Sequence, residues 1–341
     1  LDTQNLAYLI YTSGSTGKPK GTTISSLALQ TFINAMTQEV ALEPSDVLLA
    51  LTTVGFDIAG LEIYLPLIKG ATIVLANIDE QKEPQAIANL IHQHQVTIVQ
   101  ATPSLWNVLM SQVTLPSLRM LVGGEALPRK LAAQMLLIGP VTNLYGPTEA
   151  TIWASTYSLS LNDTDTQLSA SAAPIGKPLP DYSLLILDST LEPVTNGVVG
   201  ELYIAGRGLA RGYLGRTGLT AERFIANPFE PGVRIYRTGD LVRRRADGNI
   251  EFIGRSDAQV KIRGYRIELG EIESALLQGS DALAQVAVIA RAHSDGDTSQ
   301  DTRLIAYLVP RELGILPNDA ELHVQLARTL PDYMVPAAFV E

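Results

Sequence analysis

The chain is 341 residues long, 46% apolar and 18% charged, which is typical of a globular protein with a substantial core and room for more than one domain. Its net charge of −10 argues against a general binder of nucleic acid or acidic membranes, and its lack of cysteine excludes disulfides, thiolate metal sites and cysteine nucleophiles. Because it has no signal peptide and no apolar run of about 18 residues, we expect a cytoplasmic protein that binds neither nucleic acid nor a membrane.

The apolar run Leu6–Tyr11 predicts a strand that ends in a polar loop. The loop carries hydroxyls, glycines and lysines at Thr12, Ser13, Gly14, Ser15, Thr16, Gly17, Lys18 and Lys20. Glycines let the backbone approach an anion, hydroxyls and amides donate to it, and lysines neutralise it. We therefore predict that this loop binds an oxyanion-rich ligand such as a nucleoside triphosphate, with a polar surface turn as the alternative. The loop is not a P-loop, because Gly14 and Gly17 are too close together and Pro19 follows Lys18.

Up to about residue 150, strand-like runs alternate with amphipathic stretches. The predicted helices cover residues 24–36, 61–69 and 84–94, and two more begin after Pro103 and at Pro128. The predicted strands cover residues 47–51, 71–75, 97–100, 118–122 and 141–145. This alternation predicts a mainly parallel sheet with helices on both faces, in which ligands bind beyond the carboxyl ends of the strands.

Residues 158–173 are small and polar and predict a surface loop, after which the pattern changes to short strands. These strands are predicted at 184–187, 200–205, 233–237, 241–245 and 250–253, with a hairpin turn at 246–249. A small antiparallel barrel or sheet is expected here. From residue 254, a helix at 270–277, strands at 286–290 and 304–309, and a helix at 319–330 predict an α+β piece.

The predicted fold class is α/β with two domains. A large N-terminal core would span residues 1–253, with doubly wound, mainly parallel sheets in an α/β part at 1–157 and a small β-barrel in a β-rich part at 174–253. A small α+β C-terminal domain would span residues 254–341.

Three later segments concentrate polar chemistry. Asn143–Glu149 carries a ring, a hydroxyl and a carboxylate that could stack on a base, bind phosphate and hold Mg²⁺, although an ordinary turn fits equally well. Tyr236–Leu241 places Asp240 just after a predicted strand, where it could accept from ribose hydroxyls or close a structural Gly-Asp turn. Gly254–Glu273 carries many charges of both signs, which is typical of a domain junction or of a solvated face.

Taken together and in this order, these segments resemble the adenylation domains of nonribosomal peptide synthetases, within the adenylate-forming, AMP-binding enzymes that include acyl-CoA synthetases and luciferases. The resemblance extends from Leu6 to Pro336. It rests on Tyr11–Gly21, Asn143–Glu149, Gly200–Leu214, Tyr236–Leu241, Gly254–Glu273 and Leu330–Pro336. It implies the adenylate-forming fold, with a large core followed by a small mobile domain.

The resemblance implies a nucleotide site. Its ATP- and AMP-binding residues would be Thr12, Ser13, Gly14, Ser15, Thr16, Gly17, Gly124, Glu125, Ala126, Asn143, Tyr145, Gly146, Asp240, Phe252 and Arg255. The loop Thr12–Lys18 would be a lid over the β- and γ-phosphates, and 124–126 would line the adenine pocket. Tyr145 would stack on adenine, Asp240 would bind the ribose hydroxyls and Arg255 would contact the nucleotide.

The resemblance also implies the reaction. An amino-acid carboxylate would attack the α-phosphorus of ATP, releasing pyrophosphate and giving an aminoacyl-AMP, and the phosphopantetheine thiol of a separate carrier domain would then take the acyl group. The catalytic residues would be Lys18, Thr148, Glu149 and Lys261. Thr148 would contact phosphate and Glu149 would bind Mg²⁺. Because the nucleophile is already anionic, catalysis would be positioning and charge neutralisation. Asp257 would be the hinge that brings Lys261 and the Gly264 loop to the site for the second step.

The implied substrate is an amino acid, because Asp57 matches the carboxylate that pairs with an α-ammonium group. A helix cap near Ala59 is its alternative role. The implied side-chain pocket is formed by Asp57, Ile58, Leu61, Gln100, Leu121, Gly123, Leu144, Ile152 and Trp153. Its wall is mostly apolar and bulky, a set that resembles glycine-activating domains, so we predict glycine, with alanine as the main competitor.

The implied partners are a peptidyl carrier domain and a condensation domain of the same assembly line, with a small MbtH-like accessory protein as a further candidate. The family pattern has more sequence on both sides, including a C-terminal lysine motif, so we expect a fragment truncated at both ends with impaired adenylation. The alternatives are an acyl-CoA synthetase, a D-alanyl-carrier-protein ligase and an inactive nucleotide-binding module. Asp57 and Gln259–Gly264 argue against the first, and the retained Lys18, Glu149, Asp240 and Lys261 argue against the last.

Overall fold

The computed structural model describes residues 2–14, 19–160, 172–292, 302–312 and 316–341. The chain divides into two compact units. The larger is formed by Leu1–Ile10 and Gly21–Ser256, and the smaller by Tyr11–Lys20 and Asp257–Glu341. The expected boundary at residue 254 is close to this division, whereas the phosphate-loop segment 11–20 groups with the smaller unit.

The larger unit contains most of the described helices and strands. Its helices are α1 (Ser26–Val40), α2 (Ala59–Lys69), α3 (Pro84–Gln93), α4 (Pro103–Gln112), α5 (Arg129–Leu136) and α6 (Thr217–Arg223), and short 3-10 turns lie at Glu80–Lys82 and Thr148–Ala150. Its strands are β1 (Leu6–Thr12), β2 (Lys20–Ser25), β3 (Val47–Ala50), β4 (Thr72–Leu75), β5 (Ile98–Ala101), β6 (Arg119–Gly123), β7 (Val141–Tyr145), β8 (Ser155–Ser158), β9 (Lys177–Pro178), β10 (Tyr182–Leu187), β11 (Val199–Gly206), β12 (Gly212–Tyr213), β13 (Phe224–Ala226), β14 (Arg234–Arg244) and β15 (Ile250–Arg255).

A seven-stranded sheet with the order β4-β3-β5-β6-β7-β8-β9 forms the centre of this unit. Strands β3 to β7 pair in parallel, and β8 and β9 add antiparallel pairs at one edge. Successive strand residues face opposite sides: Leu48 packs in one core with α1 and α2, whereas Leu49 packs in a second core with α3, α4 and α5. Helices therefore cover both faces, which confirms the predicted doubly wound, mainly parallel sheet.

The helices of this sheet begin and end where local chemistry requires it. The Ser25 hydroxyl accepts from the amide of Ala28 at the start of α1, and Thr102 does the same for Leu105 at the start of α4. Gly70 ends α2 in the left-handed conformation at φ 70°, which a residue without Cβ adopts readily.

The β-rich region forms a five-stranded antiparallel sheet with the order β10-β11-β14-β13 and β15 paired to β14. Of the two expected forms, barrel or sheet, the described strands form a sheet. The turn at 246–249 is confirmed, with Gly248 at φ 83°. A separate three-stranded sheet has the order β1-β2-β12.

Two predictions for this region are wrong in detail. The strands expected at 233–237 and 241–245 are one strand, β14, and Asp240 lies within it rather than after it. The reason is a register shift of β14 against β11 between Glu201 and Tyr203, and Gly239, which suggested a turn in the sequence, lies within this shift with φ 78°. The loop expected at 158–173 starts too early, because Ser158 ends β8. Its residues 161–171 lie outside the described residues.

The smaller unit has an α+β composition. Its elements are β16 (Gln259–Ile262), β17 (Tyr265–Glu268), α7 (Leu269–Gly279), β18 (Leu283–Ala292), β19 (Thr302–Pro310), α8 (Asp319–Leu326), a 3-10 turn at Asp332–Met334 and β20 (Ala338–Val340). Strands β18, β19 and β20 form one sheet, and Ile272, Leu276 and Leu322 lie in its core. Helix α8 ends at Leu326, before the predicted residue 330, and turn residues follow it.

No helix in the described part of the chain is both long and apolar enough to cross a membrane.

Candidate active site

Three residues predicted to bind nucleotide meet at one point of the larger unit. Tyr145 ends β7, Asp240 lies in β14, and Arg255 ends β15 directly opposite Asp240. The Tyr145 hydroxyl donates to Oδ2 of Asp240, and Nη1 of Arg255 donates to Oδ1 over 2.6 Å. The sequence suggested each residue separately but not their mutual hydrogen bonds.

The charges of this cluster are balanced although it is buried. Asp240 is only 3% exposed, and a carboxylate at that depth requires a cation and hydrogen-bond donors, which Arg255 and Tyr145 supply. Burial, and next the Asp240 charge, raise the pKa of Tyr145 well above its usual range, so the ring stays neutral. The cluster thus offers a neutral aromatic ring beside a carboxylate and a guanidinium.

Glu149 lies in the 3-10 turn Thr148–Ala150 and is fully buried. The Tyr213 hydroxyl donates to its Oε1 over 2.7 Å, and its backbone oxygen accepts from the Ala210 amide. Within the described residues, no three His, Cys, Asp or Glu side chains form a metal-binding group. Mg²⁺ is often held by one or two carboxylates together with substrate phosphates, so a single oriented carboxylate fits this ion.

The predicted adenine-pocket segment 124–126 follows β6. Gly124 has φ 88°, in the left-handed region that favours glycine. The Glu125 carboxylate accepts from the amide and the hydroxyl of Ser104, which stabilises the first turn of α4. Ala126 is exposed.

The remaining predicted nucleotide residues surround β7 and β15. Nδ2 of Asn143 donates to the Pro174 oxygen over 2.7 Å, while its buried Oδ1 has no hydrogen-bond partner in the described part of the chain. Gly146 must lack a side chain, because a Cβ there would lie 2.5 Å from the backbone oxygen of Ile152. Phe252 is half-buried against the main core.

The residues of the predicted side-chain pocket form a compact wall around the indole of Trp153. Leu61, Leu121, Leu144, Ile152 and Trp153 are all at most 3% exposed. The indole lies against Gly123 so closely that a Cβ at Gly123 would be 2.5 Å from its Cη2 atom. Nε1 of Trp153 donates to Oε1 of Gln100 over 3.0 Å, and Nε2 of Gln100 donates to the Ile58 oxygen over 3.0 Å.

The backbone that presents Trp153 is strained. Thr151 and Ile152, both β-branched, have φ values of 57° and 71°. The Thr151 hydroxyl donates to the Gly208 oxygen over 2.7 Å, and the Ala154 amide donates to the Tyr145 oxygen. Such left-handed residues cost about 1–3 kcal/mol each and cluster at functional sites.

Asp57 lies just before α2, half-buried, and its backbone oxygen accepts from the Gly60 amide. Helix α2 has Ile58 as its N-cap, and the Ile58 side chain makes no capping hydrogen bond. The nearby Tyr8 hydroxyl is buried and has no hydrogen-bond partner among the described residues. Burial, and next the Asp57 charge, raise the pKa of Tyr8.

Glu62 was missed by the sequence analysis. It is fully buried behind the pocket, where its Oε1 accepts from Nε2 of Gln100 over 2.8 Å. The signal for it was available, because Glu62 is spaced to share the apolar face of α2 with Ile58 and Leu65.

The described part of the predicted phosphate loop makes contacts within the smaller unit. The Ser13 hydroxyl donates to the Arg266 oxygen over 2.7 Å, and the Gly14 amide donates to Oε2 of Glu271 over 3.2 Å. Thr12 is the last residue of β1. Ser15, Thr16, Gly17 and Lys18 lie outside the described residues, so their predicted role stays a prediction.

Asp257, the predicted hinge, is the first residue after the division between the units, and its Oδ1 accepts from the Gln259 amide. Lys261 lies in the hairpin β16–β17, opposite Arg266. Arg263 and Gly264 both have positive φ, 52° and 81°, as a two-residue type I′ turn requires.

A sequence model of the family described as "AMP-binding enzyme" matches residues 1–214, well over half of the chain. The chain belongs to the AMP-binding enzyme family. It is 50% identical over 339 residues to a dimodular nonribosomal peptide synthase of Bacillus subtilis (strain 168). The aligned region covers 98% of this chain and 14% of that relative. The chain therefore spans a small part of that relative.

Solved structures of this family share the fold. The Vibrio cholerae adenylation domain AlmE, in complex with glycyl-adenosine-5′-phosphate, has a TM-score of 0.87 and 28% identity over 99% of this chain and 64% of AlmE. NpsA-ThdA, an artificially fused adenylation-PCP di-domain from Klebsiella oxytoca, has a TM-score of 0.84 and 28% identity over 100% of this chain and 66% of the fusion. The predicted adenylate-forming fold is confirmed, and the chain is an AMP-binding domain of the nonribosomal peptide synthetase adenylation type. The residue roles, domain bounds, truncation and choice of glycine stay predictions.

Proposed function

We propose that this adenylation domain activates glycine as glycyl-AMP. The observation that carries the proposal is the Trp153 indole against Gly123, which occupies the space that a larger substrate side chain would need. Together with the Asp57 carboxylate, which would pair with the α-ammonium group, this arrangement suits a substrate without a side chain. The glycyl-adenosine-5′-phosphate bound to AlmE is consistent with this choice.

The apolar wall supports an uncharged, small substrate. Leu121, Leu144 and Ile152 are buried and present no group that could pair with a charged side chain. The polar groups of Gln100 are engaged by Trp153 and Ile58. An additional methyl group is worth only about 1–3 kcal/mol in such a pocket, so alanine is the expected competitor.

The nucleotide residues would act mainly by positioning. The substrate carboxylate oxygen would attack the α-phosphorus as the bond to pyrophosphate breaks, a step that needs no protein base because the nucleophile is anionic. Tyr145 would stack on adenine, and Asp240, held by Arg255, would accept from the ribose hydroxyls. Glu149 would hold Mg²⁺, which supplies charge neutralisation on the phosphates. Lys18 would neutralise the negative charge on the departing pyrophosphate.

The second step would transfer the glycyl group to the thiol of a phosphopantetheine on a carrier domain. The adenylation-PCP fusion NpsA-ThdA and the dimodular relative support such a partner. Asp257 would be the hinge and Lys261 would reach the site for this step. A condensation domain, a small MbtH-like protein and a cytoplasmic location complete the proposal.

An ATP–pyrophosphate exchange panel with the full-length protein and all twenty amino acids tests the substrate. We expect the strongest exchange with glycine and the next strongest with alanine. Strongest exchange with a bulky or charged amino acid would refute the glycine assignment. ATP binding without exchange for any amino acid would instead indicate an inactive nucleotide-binding module.

A further inference from the structure

Behind the pocket wall, a chain of hydrogen bonds joins a buried carboxylate to the indole. Glu62 accepts from Gln100, and Gln100 accepts from Trp153. We propose that Glu62 is a positioning residue for substrate selection, which acts through Gln100 to hold Trp153 against Gly123. This inference rests on the proposed function, because it concerns how the same pocket is kept small.

The groups recorded in contact with the Glu62 carboxyl all donate hydrogen bonds to it. The Thr52 amide donates to Oε2 over 2.9 Å, and the Thr52 hydroxyl donates to Oε1 over 2.6 Å. Nε2 of Gln100 donates to Oε1 as well. An ionised carboxylate has acceptor positions for all of these groups, whereas a glutamine would turn an NH₂ group toward at least one donor.

Glu62 in turn fixes the orientation of the Gln100 amide. Nε2 of Gln100 lies between two acceptors, Oε1 of Glu62 at 2.8 Å and the Ile58 oxygen at 3.0 Å. Its oxygen must therefore face the opposite side, where it accepts from Nε1 of Trp153. If the Glu62 acceptor is lost, the amide can rotate and oppose its NH₂ group to the indole N–H, which would leave a buried donor unpaired.

The indole orientation determines the pocket size. Cη2 and Cζ3 of Trp153 lie 2.5 and 2.9 Å from the position of a Cβ on Gly123, so the ring closes that side of the pocket. A small rotation of the ring would admit a methyl group. The buried carboxylate is itself unfavourable, since burial, opposed by its hydrogen bonds, raises the pKa of Glu62 to about 7. A leucine would suit this apolar helix face better, which argues that the carboxylate is there to orient Gln100.

The test measures kcat/KM for glycine and for alanine in pyrophosphate exchange with the full-length protein. For Glu62→Gln we expect the glycine-to-alanine ratio to fall about tenfold, part of the discrimination that one methyl group allows. We expect the KM for ATP to change less than about twofold, because the nucleotide cluster at Asp240 is separate from this chain of hydrogen bonds. If Glu62 only stabilises the fold, its substitution would lower kcat/KM for glycine and for alanine equally.

Asp46→Asn is the matched control. Asp46 also accepts from a backbone amide, that of Glu43, and from a threonine hydroxyl, that of Thr97. It pairs in addition with Arg119, and it precedes β3 at the opposite end of the parallel sheet. The glycine-to-alanine ratio of kcat/KM in Asp46→Asn should equal that of the wild type. Thr52→Val is the milder second variant, which removes one donor to Glu62 and should lower the ratio about threefold.

The outcomes separate this inference from the proposed function. A wild-type protein that does not prefer glycine refutes the proposed function. A glycine-selective wild type whose folded Glu62→Gln variant keeps its ratio within about twofold refutes the role of Glu62. If Glu62→Gln does not fold, Thr52→Val decides, and an unchanged ratio in that variant refutes the inference.

Discussion

Gly123→Ala is the most direct test of the pocket geometry. The added Cβ would lie 2.5 Å from Cη2 of Trp153 and 2.8 Å from the backbone oxygen of Leu144. Carbon atoms in ordinary contact are about 3.5–4.0 Å apart, so the ring must move by roughly 1 Å. The Leu144 oxygen is fixed in the ladder between β7 and its neighbours, so the strain cannot be relieved on that side.

Overpacking of this kind typically costs about 1–3 kcal/mol. We expect the free energy of unfolding, measured by urea denaturation, to fall by that amount. Because the indole is displaced, glycine-dependent exchange should also fall about tenfold in kcat/KM, equivalent to roughly 1.4 kcal/mol.

Gly218→Ala provides the matched control. Gly218 lies in α6, and a Cβ there would meet no atom within 4 Å. Because alanine favours a helix over glycine by about 1 kcal/mol, this variant should be as stable as the wild type or more stable, with unchanged exchange. A Gly123→Ala protein that behaves like Gly218→Ala would refute the packing of the indole against Gly123.

Three further predictions concern other parts of the molecule. Arg255→Met should lower the free energy of unfolding by about 3–5 kcal/mol and raise the KM for ATP, because it leaves the buried Asp240 charge uncompensated. The double variant with Asp240→Asn should recover part of the stability, and no recovery would contradict the pairing. The pKa of Glu62 rises from 4.5 to about 7 on folding, so folding favours its protonated form. The stability of wild type relative to Glu62→Gln should therefore fall by roughly 3 kcal/mol between about pH 4.5 and 7 and then stay constant, and a pH-independent difference in urea denaturation would contradict this shift. Asn318→Ala removes the capping box of α8 and should destabilise that helix by about 1 kcal/mol, whereas Asn318→Asp should not. Amide hydrogen exchange across Asp319–Leu326 should be faster in the alanine variant alone. Equal exchange rates in the two variants would contradict the role of Asn318 as the cap.

Most of the architecture follows from local signals in the sequence. Apolar periodicity and helix-start residues such as Thr102 and Pro103 located the helices and the parallel strands, because these signals are local. The order of the motifs identifies the family and indicates Asp57, Tyr145, Asp240 and Trp153 as site residues. The Gly-Asp pair at Gly239 suggests a turn, but Gly239 lies within β14, where that strand shifts register against β11.

The contacts among these residues depend on the three-dimensional fold. The Tyr145–Asp240–Arg255 cluster joins positions that are far apart in the sequence. Glu62 becomes a hydrogen-bond acceptor in the core only because the fold brings the donors of Thr52 and Gln100 to it. The fit of Trp153 against Gly123 depends on two left-handed residues before the indole, which sequence patterns do not reveal. Pocket size and hydrogen-bond orientation are properties of three-dimensional packing, so a list of pocket residues predicts the substrate but not the mechanism that keeps the pocket small.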